Sequence, residues 1–207
     1  MNELAPLKEF QDLLILYSQE LSAENRNIIE QQVWEKFGKT ISVLVVDMSG
    51  FTRLTESHGA VHYLSMVRRM QLTAQPIIES YGGKVVKFEA DNAFAYFEMP
   101  DKAIRTAIAL NLALDSANIL TPEELDIRIS CGVDHGECLL PQPSDYYGGA
   151  VNKASKLGED LGEPGQILVT EKAMSLVPSS LDINSKSISL EIAGKTETVH
   201  SVIYRQE

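Results

Sequence analysis

The stretch Val45-Val46-Asp47-Met48-Ser49-Gly50-Phe51-Thr52 decides how the rest of the chain is read. It closes an apolar, β-branched run that begins at Ile41-Ser42-Val43-Leu44 and has no helical spacing. Such a run predicts a strand buried on both faces. Asp47 falls where the strand ends, Gly50 permits a sharp turn, and Thr52 can cap a following helix. A carboxylate at a strand tip, followed by forward-pointing backbone N–H groups, suits a metal ion and a phosphate held together. The same eight residues also suit a plain buried strand ending in an Asx turn, so the surrounding sequence has to decide.

Composition narrows the choices. The 207 residues, 44% of them hydrophobic, allow one sizeable core with a short appendage. A net charge of −11, from 29 acids against 18 bases, repels nucleic acid and anionic membrane surfaces as general partners. It leaves room for a nucleotide bound with divalent ions, which bring their own positive charge. Cys131 and Cys138 match no zinc or redox spacing and read as small hydrophobes in a reducing compartment. His58, His62, His135 and His200 show no metal spacing and read as surface or packing residues. No apolar run is long enough to span a membrane, and the start lacks the basic-then-apolar pattern of a signal peptide, so a cytoplasmic location is expected.

The first 39 residues read as a helical segment and residues 40–207 as the main domain. Leu7, Phe10, Leu14, Tyr17 and Leu21 form one helical stripe. Ser22 starts a second helix with Ile28, Ile29, Val33, Trp34 and Phe37 on its apolar side. After Asp47 a long helical stretch runs to about Tyr81, broken at Gly59, with Val61, Leu64, Val67, Met70, Leu72, Ile77 and Ile78 expected on its buried side. Lys84 to Glu89 and Ala93 to Phe97 read as a hairpin turning at Ala90-Asp91-Asn92. Period two places Val86 and Phe88 on one face and Val85, Lys87 and Glu89 on the other. Pro100-Asp101 opens a helix. Leu125 to Val133 and Gly136 to Leu140 read as two strands. A helix from Gly148-Gly149 to Gly162 follows, with Asn152 and Lys156 sharing a polar face. Gly165 to Thr170 reads as a strand, and the tail from Ile188 to Tyr204 as a closing hairpin around Gly194-Lys195. The order predicts an α+β sandwich, a sheet with helices on one face.

Four segments carry a resemblance. Asp47-Met48-Ser49-Gly50-Phe51-Thr52 resembles the D-[IM]-x-G-F-[TS] pattern of class III nucleotidyl cyclases. Gly82 to Asp91 resembles their G-G-x-x-x-K-x-x-G-D segment. Cys131 to Gly136 is similar to their G-[IV]-x-x-G strand pair, and Asp145 to Lys156 to their D-[YFI]-x-G-x-x-V-N-x-A-[AS]-R helix start. The resemblance covers about residues 40–205, in the family's order, and implies a ferredoxin-like sandwich of the class III cyclase type. It implies a homodimer with two sites at the interface. One subunit would hold two Mg²⁺ or Mn²⁺ ions with Asp47, Asp91 and the Met48 carbonyl, and the phosphates with the N–H groups of Gly50, Phe51 and Thr52. The other would read the base with Lys87 and Asp145 and act on the triphosphate with Asn152 and Lys156. A Lys donor facing N1 and an Asp acceptor facing the 6-amino group suit adenine, so ATP is the expected substrate and cyclic AMP with pyrophosphate the expected products.

Three positions depart from the pattern. Lys156 stands where the family commonly has Arg, and it offers a point charge without the planar fork. Ala90 and Asn92 flank Asp91 where small glycines are usual. Ala193 stands where a phosphate-binding Lys often precedes Gly194, with Lys195 nearby as a substitute. The short connection from Gly136 to Asp145 implies a reduced dimerisation arm. Glu89 shares a face with Lys87 and could pair with it. The alternatives are a catalytically weak or inactive nucleotide-binding relative, a cyclase for another nucleotide, pyrimidines included, and a sandwich used only for association. The N-terminal helices would pack on their own domain, brace a dimer or receive a regulatory partner.

Overall fold

Strand β1, Gly38–Met48, lies inside an eight-stranded sheet in the computed structural model, which describes residues 4–50, 57–142, 144–192 and 194–205. Two helices precede it, α1 (Leu4–Gln19) and α2 (Ala23–Phe37). Helix α3 (Ala60–Ser80) follows, then the hairpin β2 (Lys84–Glu89) and β3 (Asn92–Phe97), and helix α4 (Pro100–Asn118). Next come β4 (Ile129–Gln142), β5 (Asp145–Tyr147), helix α5 (Gly149–Ser155) with a π-helical turn (Lys156–Leu161), and β6 (Ile167–Thr170). Short α6 (Glu171–Ser175) and the hairpin β7 (Ser185–Ile192) and β8 (Lys195–Val202) complete the described chain. The strand order is β2-β3-β1-β4-β6-β8-β7, with β5 paired to β4; among the described residues only β4 and β6 run parallel.

The expected double burial of β1 holds. Leu44, Val46 and Met48 pack towards α3 and α4, against Met66, Met70, Ile78, Ile104 and Leu110. Ile41, Val43 and Val45 pack on the opposite face with Ala150 and Ala154 of α5. Helices therefore cover both faces, and the expectation of helices on one face is corrected. Gly132 makes the second layer possible: a Cβ there would lie 2.0 Å from the Ala154 carbonyl oxygen. Only a bare α-carbon lets α5 press this closely on the sheet.

Other local readings need correction. Val61, Leu64 and Leu72 are exposed, while Tyr63, Met66, Val67, Met70, Ala74 and Ile78 form the buried stripe of α3. The two strands expected between Leu125 and Leu140 are one strand, because β1 pairs with β4 from Gly38↔Leu139 to Met48↔Ile129. Gly136 sits opposite Ile41 within that ladder and makes no turn. The helix expected to reach Gly162 is α-helical only to Ser155 and continues as the π turn. A register shift between Val85 and Lys87 breaks the alternation of β2. Val85 and Phe88 therefore meet the α3–α4 core, whereas Val86 joins Phe94 on the other face. Lys87 lies over the Phe94 ring at 5.3 Å. Helix α2 starts at Ser22, whose hydroxyl accepts from the Asn25 N–H, and α4 starts with Pro at its first turn, both as expected. Phe10, Val33 and Phe37 bind the N-terminal helices to their own domain, and the far half of the first stripe, with Leu14, Tyr17 and Leu21, is exposed.

Candidate functional site

The end of β1 and the β2–β3 turn bring Asp47 and Asp91 together. Asp47 pairs with Asn92 in the ladder, and the Met48 N–H donates to the Asp91 carbonyl at 3.2 Å. Burial pushes the Asp47 carboxyl up to about 7, helped by the negative charges of Asp91, then Glu159 and Asp160. Burial also raises Asp91, against the lowering effect of hydrogen bonds from its own backbone and from the Tyr63 hydroxyl. Tyr63 in turn is pushed up to about 12, chiefly by burial. The charges acting on Asp47 are all acidic, so the two carboxylates form a negative hollow with no cation of this chain to fill it among the described residues. Two carboxylates of this kind suit a hard divalent cation that keeps waters and takes its other oxygens from a substrate. No group of three or more metal-binding side chains gathers among the described residues. A divalent cation held by these two carboxylates would take its remaining oxygens from water and a phosphate-bearing ligand.

Beyond Met48 the chain turns at Gly50, which adopts φ +88, a left-handed conformation that suits glycine. Ser49 is held by its N–H donating to the Arg128 carbonyl at 2.9 Å. Phe51 and Thr52, expected to contribute N–H groups, lie outside the described residues. A cleft of about 520 Å³ opens here, walled by Ser49, Gly50, His58 and Arg128.

Lys87 and Asp145 meet with Nζ and Oδ1 3.8 Å apart. Lys87 is nearer to Glu89, at 2.9 Å, and that carboxylate is the main reason its ammonium stays above the usual lysine range. The pairing suspected from the shared face is present. The Asp145 carboxylate accepts from the Tyr146 N–H at 3.0 Å and from the Tyr147 hydroxyl at 2.7 Å. Asn152 and Lys156 line a groove of about 940 Å³ with Lys195, Gly194 and Ile192. Lys156 donates to Asp160 at 2.7 Å, one turn along. Ala193 lies outside the described residues.

Sequence reasoning missed Tyr63, Tyr147 and the acidic pair Glu159 and Asp160. The corrected α3 stripe, with Tyr63, Met66, Val67 and Met70 three and four apart, was the signal for Tyr63. The π turn that swings Glu159 towards Asp47 has no such signal. The cysteines behave as expected: both are fully buried, and burial pushes Cys131 up to about 12 and Cys138 to about 11. His135 is a packing residue, with Nδ1 2.8 Å from the Ser42 hydroxyl, and His200 sits beside Glu171. Among the described residues no helix is long and apolar enough to cross a membrane.

Residues 34–203 match the model of the adenylate and guanylate cyclase catalytic domain. A putative adenylate cyclase 3 of Rhizobium meliloti is 27% identical over 143 residues, 69% of this chain and 24% of that protein. An adenylate cyclase of Streptomyces coelicolor is 27% identical over 153 residues, 73% of this chain and 38% of that protein. The chain thus spans only part of the length of these relatives. Among solved structures, the adenylyl cyclase CyaB from P. aeruginosa superposes with a TM-score of 0.70 at 21% identity, covering 82% of this chain and 96% of that one. An adenylate/guanylate cyclase/hydrolase from Silicibacter pomeroyi superposes with a TM-score of 0.65 at 26% identity, covering 80% and 95%.

Proposed function

Because the chain belongs to the adenylate and guanylate cyclase catalytic-domain family, we propose that it converts ATP to 3′,5′-cyclic AMP and pyrophosphate. The observation that carries this choice is the convergence of Lys87 and Asp145, 3.8 Å apart. An ammonium donor beside a carboxylate acceptor matches N1 and the 6-amino group of adenine. Guanine presents the reversed edge, and a buried mismatch costs on the order of 1–3 kcal/mol. The names of the R. meliloti and S. coelicolor relatives agree with adenine.

Asp47, Asp91 and the Met48 carbonyl would hold two Mg²⁺ or Mn²⁺ ions. When bound, these ions lower the pKa of the ribose 3′-hydroxyl and offset the phosphate charge. Gly50, Phe51 and Thr52 would supply the backbone N–H groups for the β- and γ-phosphates, as the family's pattern implies. The 3′-hydroxyl attacks the α-phosphorus, and pyrophosphate leaves in line. Asn152 and Lys156 steady the reacting triphosphate, and Lys195 adds charge in the same groove. In a homodimer the metal-binding half of one subunit faces the base-reading half of its partner. Exposed Leu14, Ile15, Leu16 and Tyr17 on α1 offer a surface through which a regulatory partner would act.

The test is a panel of ATP, GTP, CTP and UTP with Mg²⁺ and with Mn²⁺. Cyclic AMP from ATP is the expected product, and Asp91→Ala is expected to abolish it. Nucleotide binding without any cyclic product at high protein concentration would replace the enzyme with a binding module. A preferred base other than adenine would move the substrate, and no binding of any triphosphate would leave an association domain.

A further inference from the structure

Asp145 is held by the two residues that follow it. The Tyr146 N–H fixes Oδ1 at 3.0 Å, and the Tyr147 hydroxyl fixes Oδ2 at 2.7 Å. A carboxylate tied at both oxygens cannot rotate about its last bond, so its remaining lone pairs keep one direction. Lys87 faces the same carboxylate at 3.8 Å, just beyond hydrogen-bond range. Without the hydroxyl, Asp145 could turn and close a direct ion pair with Lys87, which would withdraw both groups from a base.

Tyr147 is itself placed from outside the sandwich. Its ring stacks on Phe10 of α1, with centroids 6.1 Å apart and planes 8° from parallel. Phe10 is buried, meets the Phe37 ring edge-on at 5.2 Å, and packs with Val33 and Leu139. Leu139 of β4 is the register partner of Tyr147 on β5. The N-terminal helices therefore grip this strand pair at a place two residues from Asp145.

We infer that Tyr147 is a positioning residue that orients Asp145 for base selection, and that Phe10 couples the N-terminal helix pair to that selection. The inference rests on Lys87 and Asp145 being the base-reading pair. It makes the first helix a determinant of nucleotide choice, although it touches no part of the candidate site directly.

The experiment uses the full chain with Tyr147→Phe, Phe10→Leu and the double variant. Phe10→Leu keeps an apolar side chain beside Val33 and Phe37 but removes the ring that stacks on Tyr147 and meets Phe37 edge-on. Two readouts are taken: ATP and GTP Kd with Ca²⁺, by displacement of a fluorescent ATP analogue, and kcat and KM with Mn²⁺. Tyr147→Phe is expected to lower the ATP-over-GTP preference about ten-fold, through ATP Kd and KM, with kcat within about two-fold. Phe10→Leu is expected to lower it about three-fold, and the double variant to match Tyr147→Phe. An unchanged preference in Tyr147→Phe overturns the positioning role. Losses that add in the double variant overturn the coupling through Phe10. If wild-type protein binds ATP and GTP alike, the base-reading pair fails and the inference fails with it. If it discriminates but forms no cyclic product, the cyclase reading fails and the binding ratios still decide the inference.

Discussion

Asp47 concentrates the electrostatics of the site in one side chain. Burial and the neighbouring Asp91, Glu159 and Asp160 all raise its proton affinity, from the ordinary 3.8 to about 7. The folded state therefore binds a proton more tightly than the unfolded chain. The stabilising contribution of protonated Asp47 is complete below the ordinary carboxylate range and is lost as pH rises towards about 7. In chelator, Asp47→Asn is expected to be neutral near pH 4 and to raise Tm at pH 8. Discounted for partial exposure, the gain is about 1–2 kcal/mol, or roughly 2–8 °C for a chain of this size. Thermal unfolding at the two pH values with EDTA measures it, and an equal effect at both would remove the electrostatic account. Asp47 and Asp91 were legible in the sequence through the four-segment resemblance, because an acid at a strand end or turn is by itself as well explained by an Asx turn. Lys87 was legible as a residue, and so was its pairing with Glu89, which the structure holds at 2.9 Å. Tyr63 and Tyr147 were not legible as partners of Asp91 and Asp145, because aromatic residues inside helices and strands usually signal packing alone.

The β2–β3 hairpin shows what an element adds to its residues. It carries Lys87 on one face and Asp91 at its tip, and the shift between Val85 and Lys87 sets which face Lys87 takes. A period-two reading misses this, because a bulge inserts one residue that no alternation announces. The turn itself is kept at a cost. Ala90 adopts φ +50, the left-handed region where a Cβ is crowded, and it does so beside Asp91. That conformation costs an alanine about 1–2 kcal/mol, and glycine's extra chain entropy takes back about 0.5–1 kcal/mol. Ala90→Gly is therefore expected to stabilise the protein by about 0.5–1 kcal/mol with an unchanged fold. Chemical denaturation reads the change, and a loss of stability would show that the turn is held by something other than its backbone. The same logic explains β4. Its continuity was hidden by Gly136, which reads as a break in isolation and becomes an ordinary ladder position once the eleven residues of β1 lie beside it.

At the scale of the whole molecule, the candidate residues separate into two groups. Asp47 and Asp91 form an acidic hollow at the strand ends, while Lys87 and Asp145 face outward and Asn152, Lys156 and Lys195 line a separate groove. The order of elements was legible because turn and cap residues mark most boundaries, but sequence has no term for a second copy of the chain. If each site draws its acidic group from one subunit and its Asn152–Lys156 group from the other, two dead variants can restore each other. Asp91→Ala and Lys156→Ala, each inactive alone, would form mixed dimers in which one site carries both defects and the other carries neither. Random pairing gives half of the dimers this mixed form, and half of their sites are intact, so activity recovers to about a quarter of wild type. Co-refolding or co-expression of differently tagged variants, with cyclic AMP production per total protein, measures the recovery. Recovery that falls with dilution, as dimers dissociate, would identify the interface as the place where the two groups meet. Persistent inactivity of well-folded mixed dimers would instead place all of the catalytic residues on one subunit.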